Sequence, residues 1–128
     1  MIVDASVLIA ILRDEPEAGA FKRALALAPI RRISPVNWFE AAINAQKAGR
    51  SDMAALEKLC ERLELAVVPI DDVQMRLALR AWTRYGKGRD PARLNLGDCF
   101  AYALAKHAND KLLYKGGDFA RTDIAAAI

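Results

Sequence analysis

Apolar and polar positions change period several times along this chain, and the changes mark its elements. Ile2 and Val3 form an apolar pair that stops at Asp4, as a buried strand does at its carboxyl end. Val7, Leu8, Ile11 and Leu12 then recur at helical spacing, with Ser6 standing where an N-cap is expected. Arg13-Asp14-Glu15-Pro16 breaks that pattern. Pro16 suits the first turn of a second helix, which runs to about Ala28 and is ended by Pro29. Arg32-Ile33 predicts a short strand. Ser34-Pro35 predicts the start of a helix, serine as cap and proline at its first position. That helix runs to Lys47, carries Val36, Phe39 and Ile43 as its apolar stripe, and has Gly49 as its terminating glycine.

The second half repeats the alternation. Ser51 opens a helix with Leu56, Leu59, Cys60 and Leu63 at helical spacing, and Leu65 to Pro69 reads as a strand. Asp71 or Asp72 caps a helix bearing Val73, Leu77, Ala81 and Tyr85, which ends at Gly86. Gly86 to Arg93 is a loop. Asn95 reads as the next N-cap, with Asp98 in the first turn and Leu96, Phe100, Ala103, Leu104 and His107 along one face. Lys111 to Tyr114 is the last strand, and Gly116-Gly117-Asp118 is a tight turn at its end. Strands alternating with helices or helix pairs predict an α/β protein, a parallel sheet flanked by helices. No repeat, low-complexity tract or linker divides residues 1–128, so a single domain is expected.

Composition narrows the classes. Apolar residues make up 54% and charged residues 27% of the 128 positions, which excludes a disordered chain. The apolar run from Ile2 to Leu12 has no basic leader, is interrupted by Asp4 and is too short to span a bilayer; a cytoplasmic protein with no membrane partner is expected. Cys60 and Cys99 are expected to be buried free thiols. The net charge of +3 is compatible with a polyanionic partner without requiring one. Its distribution is more telling: Arg80, Arg84, Lys87, Arg89 and Arg93 cluster, a run that ordinarily forms a solvated face and that, if an RNA-binding groove exists, is the candidate for its phosphate contacts.

The candidate chemistry lies in acids far apart in sequence. Asp4 and Asp118 each follow an apolar strand, Asp98 opens a helix, and Glu40 lies among apolar helix neighbours. In a parallel sheet, strand carboxyl ends and helix amino ends share one rim, so the acids can meet there. Each has an ordinary reading too. Asp98 answers the helix dipole, Asp118 is a turn residue, and Glu40 belongs to a solvated helix face. Asp4 is the hardest to explain that way, because a carboxylate closing a buried strand is costly unless paired or metal-bound. Converging carboxylates repel unless a divalent cation sits among them, and an all-oxygen set suits Mg²⁺ or Mn²⁺ over zinc. His107 and the two scattered cysteines offer no zinc spacing.

Val3-Asp4-Ala5-Ser6, Glu40, Asn95-Leu96-Gly97-Asp98-Cys99-Phe100 and Leu113-Tyr114-Lys115-Gly116-Gly117-Asp118-Phe119 together resemble a PIN domain. Within that superfamily they are most similar to the VapC toxins of bacterial type II toxin–antitoxin modules. The resemblance covers essentially the whole chain. It implies an α/β/α sandwich and a Mg²⁺- or Mn²⁺-dependent endoribonuclease restrained by a VapB-like antitoxin and commonly paired as a homodimer. It implies Asp4 and Asp98 as principal metal ligands, Glu40 and Asp118 as completing the catalytic acidic pocket, and Ser6 as its hydrogen-bonding support. Asp123 matches a further acid of less defined role. Gly117 departs from the polar or acidic residue that relatives often carry before the last acid. A PIN nuclease of RNA processing outside a toxin–antitoxin module, and a non-catalytic module whose acids hold a basic partner, are the alternatives.

Overall fold

The computed structural model describes residues 1–128. Strand β1 (Ile2–Val3) leads into α1 (Ala5–Leu12) and α2 (Ala18–Leu27); β2 (Arg32–Ile33) is followed by α3 (Pro35–Ala48) and α4 (Arg50–Arg62). Strand β3 (Ala66–Val67), α5 (Asp72–Tyr85), α6 (Leu96–Ala108) and β4 (Leu112–Leu113) complete the alternation, with a short 3₁₀ turn at Phe119–Arg121. All strand pairs are parallel, in the order β3-β2-β1-β4. Successive strand residues face opposite sides, and the core divides accordingly. Val3, Ile33 and Leu113 pack with α1 to α4 on one face, while Ile2 and Leu112 pack with α5 and α6 on the other. The result is the expected α/β/α sandwich. From β1 the chain moves one way to β2 and β3 and returns on the other side as β4, so the carboxyl ends of β1 and β4 form the switch point where such sheets open a crevice.

Local chemistry explains the boundaries. Asp4, not Ser6, caps α1: it keeps an extended backbone (φ −83°, ψ 154°) and accepts the Ser6 amide, because the chain turns into helix directly after the strand. Helix α2 starts at Ala18 rather than in the turn made by Pro16 and Glu17. Gly49 ends α3 and caps α4 at once, at φ 133°, where a side chain is not tolerated, so α4 begins one residue before Ser51. Asp71 is the cap of α5, its Oδ1 accepting the Gln74 amide at 2.8 Å. Only Ala66 and Val67 of the expected third strand pair, on the sheet's exposed edge.

The expected apolar faces are the main correction. Helix α3 buries Asn37, Ala41, Ala42 and Ala45, whereas Phe39 is 61% and Ile43 37% exposed. Helix α3 packs against α1, α4 and α6 together, and only small side chains let three helices approach it closely. For the same reason Val73 and Leu96 lie outside on α5 and α6, whose buried faces are rich in alanine. His107 is likewise exposed near Asp71, not on an apolar face. Both cysteines are free, Cys99 buried and Cys60 half-buried. No helix is long and apolar enough to cross a membrane.

Candidate metal centre

Asp4 is 5% exposed at the end of β1. Its Oδ2 accepts the Ser6 amide at 3.0 Å and the Ser6 hydroxyl at 2.5 Å, and its Oδ1 accepts from Asn37 at 3.3 Å. Ser6 Oγ in turn accepts the Lys115 amide at 3.0 Å, which ties the chain leaving β4 to the start of α1. The Lys115 amine is turned to Glu15 and Glu17, so its charge is spent on the α1–α2 turn.

Asp98 enters from α6. Asn95 and Asp98 form a full capping box: Asn95 Oδ1 accepts the Asp98 amide at 2.9 Å, and Asp98 Oδ2 accepts the Asn95 amide at 3.0 Å. The ordinary helix-opening role is therefore real, and no hydrogen bond engages the other oxygen, Oδ1. Glu40 reaches the same helix start from α3. A Cβ built on Gly97 would lie 1.8 Å from Glu40 Oε1, so glycine alone leaves room for that carboxylate. Asp118 is exposed and precedes the 3₁₀ turn.

Their electrostatics show that the four acids share one field. Burial, and then the charge of Asp4, raises the Glu40 carboxyl above its ordinary range. Asp4 is raised by burial, against the pull of its Ser6 bonds, with a further push from Asp118. Asp98 is pushed up to about 7, first by burial and then by Asp4, Asp118 and Glu40, despite its bond to Asn95. Asp4, Glu40 and Asp98 thus resist ionising where they stand, the condition a divalent cation relieves.

The donor set fits a hard cation. It is all carboxylate, and the neighbouring Cys99 thiol is pushed up to about 11, mainly by burial, which keeps it neutral. As the side chains stand, no three acids form a closed ligand cluster. Asp4 is committed to Ser6 and Asn37, and Asp98 Oδ2 to its own helix cap, so a cation would draw them from those bonds or share them.

Other expected site residues lie elsewhere. Asp123 accepts the Tyr102 hydroxyl at 2.7 Å and pairs with Lys106 at 3.0 Å and Arg84 at 4.0 Å, pinning the last residues to α5 and α6 rather than joining the acids. Lys87, Arg89 and Arg93 line one surface hollow, and Arg80 and Arg84 another beside Lys106, so the basic run divides into two patches. Periodicity gave no sign of Asn37 or Gly97, which contact the acids directly; a glycine inside the first turn of a helix was the one available signal for Gly97.

A parallel α/β/α sandwich with four acids around its switch point matches a known class. The PIN domain family profile matches residues 1–125, and the chain belongs to that family. Within it, the chain belongs with the VapC ribonucleases. It is 43% identical to "Ribonuclease VapC" of Mycolicibacterium smegmatis over 98% of both chains, and 43% identical to "Ribonuclease VapC28" of Mycobacterium tuberculosis over 100% of this chain and 98% of that one. Solved structures share the fold. The Mycobacterium tuberculosis VapC20, a "Sarcin-Ricin loop cleaving toxin", superposes with TM-score 0.77 at 17% identity over 97% and 95% of the two chains. A "toxin-antitoxin complex from Klebsiella pneumoniae" does so with TM-score 0.72 at 21% identity over 95% and 92%.

Two outcomes are expected. Gly97→Ala should gain about 1 kcal/mol of helix propensity only when Glu40 no longer fills the space above it. In urea denaturation it will therefore be more favourable in a Glu40→Ala background than in the parent, and additive values would refute the contact. The second concerns pH. Asp98 rises from 3.8 to about 7 on folding, so the folded state holds a proton that the unfolded chain has released. In chelator, its contribution lowers stability as pH rises through that window, and Asp98→Asn should make the decline shallower, the remainder coming from the raised Asp4 and Glu40.

Proposed function

We propose that this chain is a Mg²⁺- or Mn²⁺-dependent endoribonuclease and the toxin of a type II toxin–antitoxin module, restrained by a VapB-like antitoxin. The observation that carries the reading is the grouping of Asp4, Glu40, Asp98 and Asp118 at one rim, each of the first three raised by burial and by its neighbours, in a chain 43% identical to named VapC ribonucleases.

Asp4 and Asp98 are the principal ligands, with Glu40 and Asp118 completing the pocket. A bound Mg²⁺ or Mn²⁺ supplies electrostatic stabilisation of the charge that develops on the scissile phosphate. Ser6 fixes the Asp4 carboxylate by donating both its amide and its hydroxyl. Glu40, half-buried and raised, orients the attacking water and accepts its proton, with Asp118 as the more exposed alternative. Lys87, Arg89 and Arg93, together with Arg80 and Arg84, hold the RNA strand through its phosphates.

We read the apolar groove of about 460 Å³ between α5 and α6, lined by Met75, Leu79, Trp82, Leu96 and Phe100, as the surface that a second copy would cover. Leu79 is 60% and Leu96 66% exposed there, the kind of patch that marks an interaction surface. Light scattering should show a dimer for the parent and a monomer for Leu79→Glu; a parent that is monomeric at all concentrations would remove this placement.

The central test is cleavage-site mapping on total cellular RNA with and without chelator. Asp4→Asn and Asp98→Asn should each lower cleavage by at least about 100-fold, on the scale of losing a transition-state contact, while circular dichroism stays that of the parent. Cutting at the parental rate by Asp4→Asn would sink the assignment. A parent that takes up no Mn²⁺ but binds a basic antitoxin would favour the non-catalytic alternative.

A further inference from the structure

Asn37 is fully buried on α3 and is none of the acids. Its Nδ2 donates to Asp4 Oδ1 at 3.3 Å and to the Gly97 carbonyl at 3.0 Å. It also lies near enough to Glu40, one turn along the same helix, to ease that carboxylate's negative charge. One amide thus touches the end of β1, the start of α6 and the acid of α3.

The amide can face only one way. Its two partners on that side are both acceptors, so exchanging nitrogen and oxygen would set Oδ1 against two oxygens. The orientation leaves Oδ1 buried with no donor, and the neighbouring cap residue Ser34 has an unpartnered buried hydroxyl as well. An apolar side chain of the same size would avoid that cost. A core position serving packing alone would not hold asparagine.

We infer that Asn37 is a positioning residue: by holding the Asp4 carboxylate and the Gly97 carbonyl together, it sets the separation between Asp4 and Asp98 across which a divalent cation is gripped. The inference rests on the cation reading above. Asn37 acts through Asp4, because its only hydrogen atoms on the pocket side are engaged by Asp4 and Gly97. Partners that orient metal-ligating side chains typically change metal affinity by 10–100-fold when removed.

The test is Mn²⁺ titration by calorimetry of the parent, Asp4→Asn and Asn37→Leu, with thermal denaturation of each in chelator. The parent should bind saturably and Asp4→Asn should not. Asn37→Leu should stay folded but melt in chelator below the parental temperature, since Asp4 Oδ1 and the Gly97 carbonyl lose their donor, and should bind Mn²⁺ roughly 10–100-fold more weakly. Its RNA cleavage should recover as Mn²⁺ is raised. If Asn37→Leu does not fold, Asn37→Ala carries the same expectation for affinity. Parental Mn²⁺ affinity in the folded variant overturns the inference, whether or not the melting temperature falls. A parent that binds no Mn²⁺ overturns both this inference and the cation reading; a parent that binds, with Asn37→Leu unchanged, overturns this one alone.

Discussion

The structure depends on keeping one carboxylate, that of Asp4, out of water at the end of a central strand. Burying an unpaired carboxylate is among the most expensive things a fold can do. Here the expense is met locally: the Ser6 amide and hydroxyl bond to one oxygen and Asn37 to the other. None of these donors is a cation, so the negative charge is solvated but not neutralised. The Lys115 amine at the same rim is held by Glu15 and Glu17. The pocket therefore keeps an uncompensated charge, which a divalent ion can use.

The arrangement around Asp4 follows from parallel topology. Parallel strands put their carboxyl ends on one edge, and the helices that return the chain put their amino ends on the same edge. Asp98 arrives there as part of the α6 capping box and Glu40 through the gap that Gly97 leaves. Helix capping and site building thus draw on the same side chain. Asp98 stabilises the helix with one oxygen while burial, and then the surrounding acids, raise its proton affinity, so the site is assembled from groups whose local roles already fix their backbones.

Small residues govern how tightly this assembly closes. Alanines on α3 and α6 let the two helices approach across the rim, bringing Glu40 and Asn37 against Gly97. The displaced large residues, Phe39, Leu79 and Leu96 among them, stand on the outside. Close packing inside and an apolar surface outside are two results of one choice of residue size, and the second provides material for association.

The chain by itself determined the alternation of strands and helices, the cap Asn95, a cap at Asp71 or Asp72, the terminating glycine Gly49, and the acids Asp4, Glu40, Asp98 and Asp118 as the candidate set. These are local signals, each carried by a few neighbouring residues and the backbone conformations they permit. Tertiary structure decided which face of each helix is buried, because that depends on how many neighbours a helix meets: α3 meets three and buries alanines instead of Phe39 and Ile43. It also decided that Asp123 belongs with Tyr102 and Lys106, that the basic run divides into two patches, and that Asn37 and Gly97 contact the acids. Contacts between residues sixty positions apart, such as Asn37 with Gly97, leave no periodic trace, since they exist only once the sheet has set the distance between its helices.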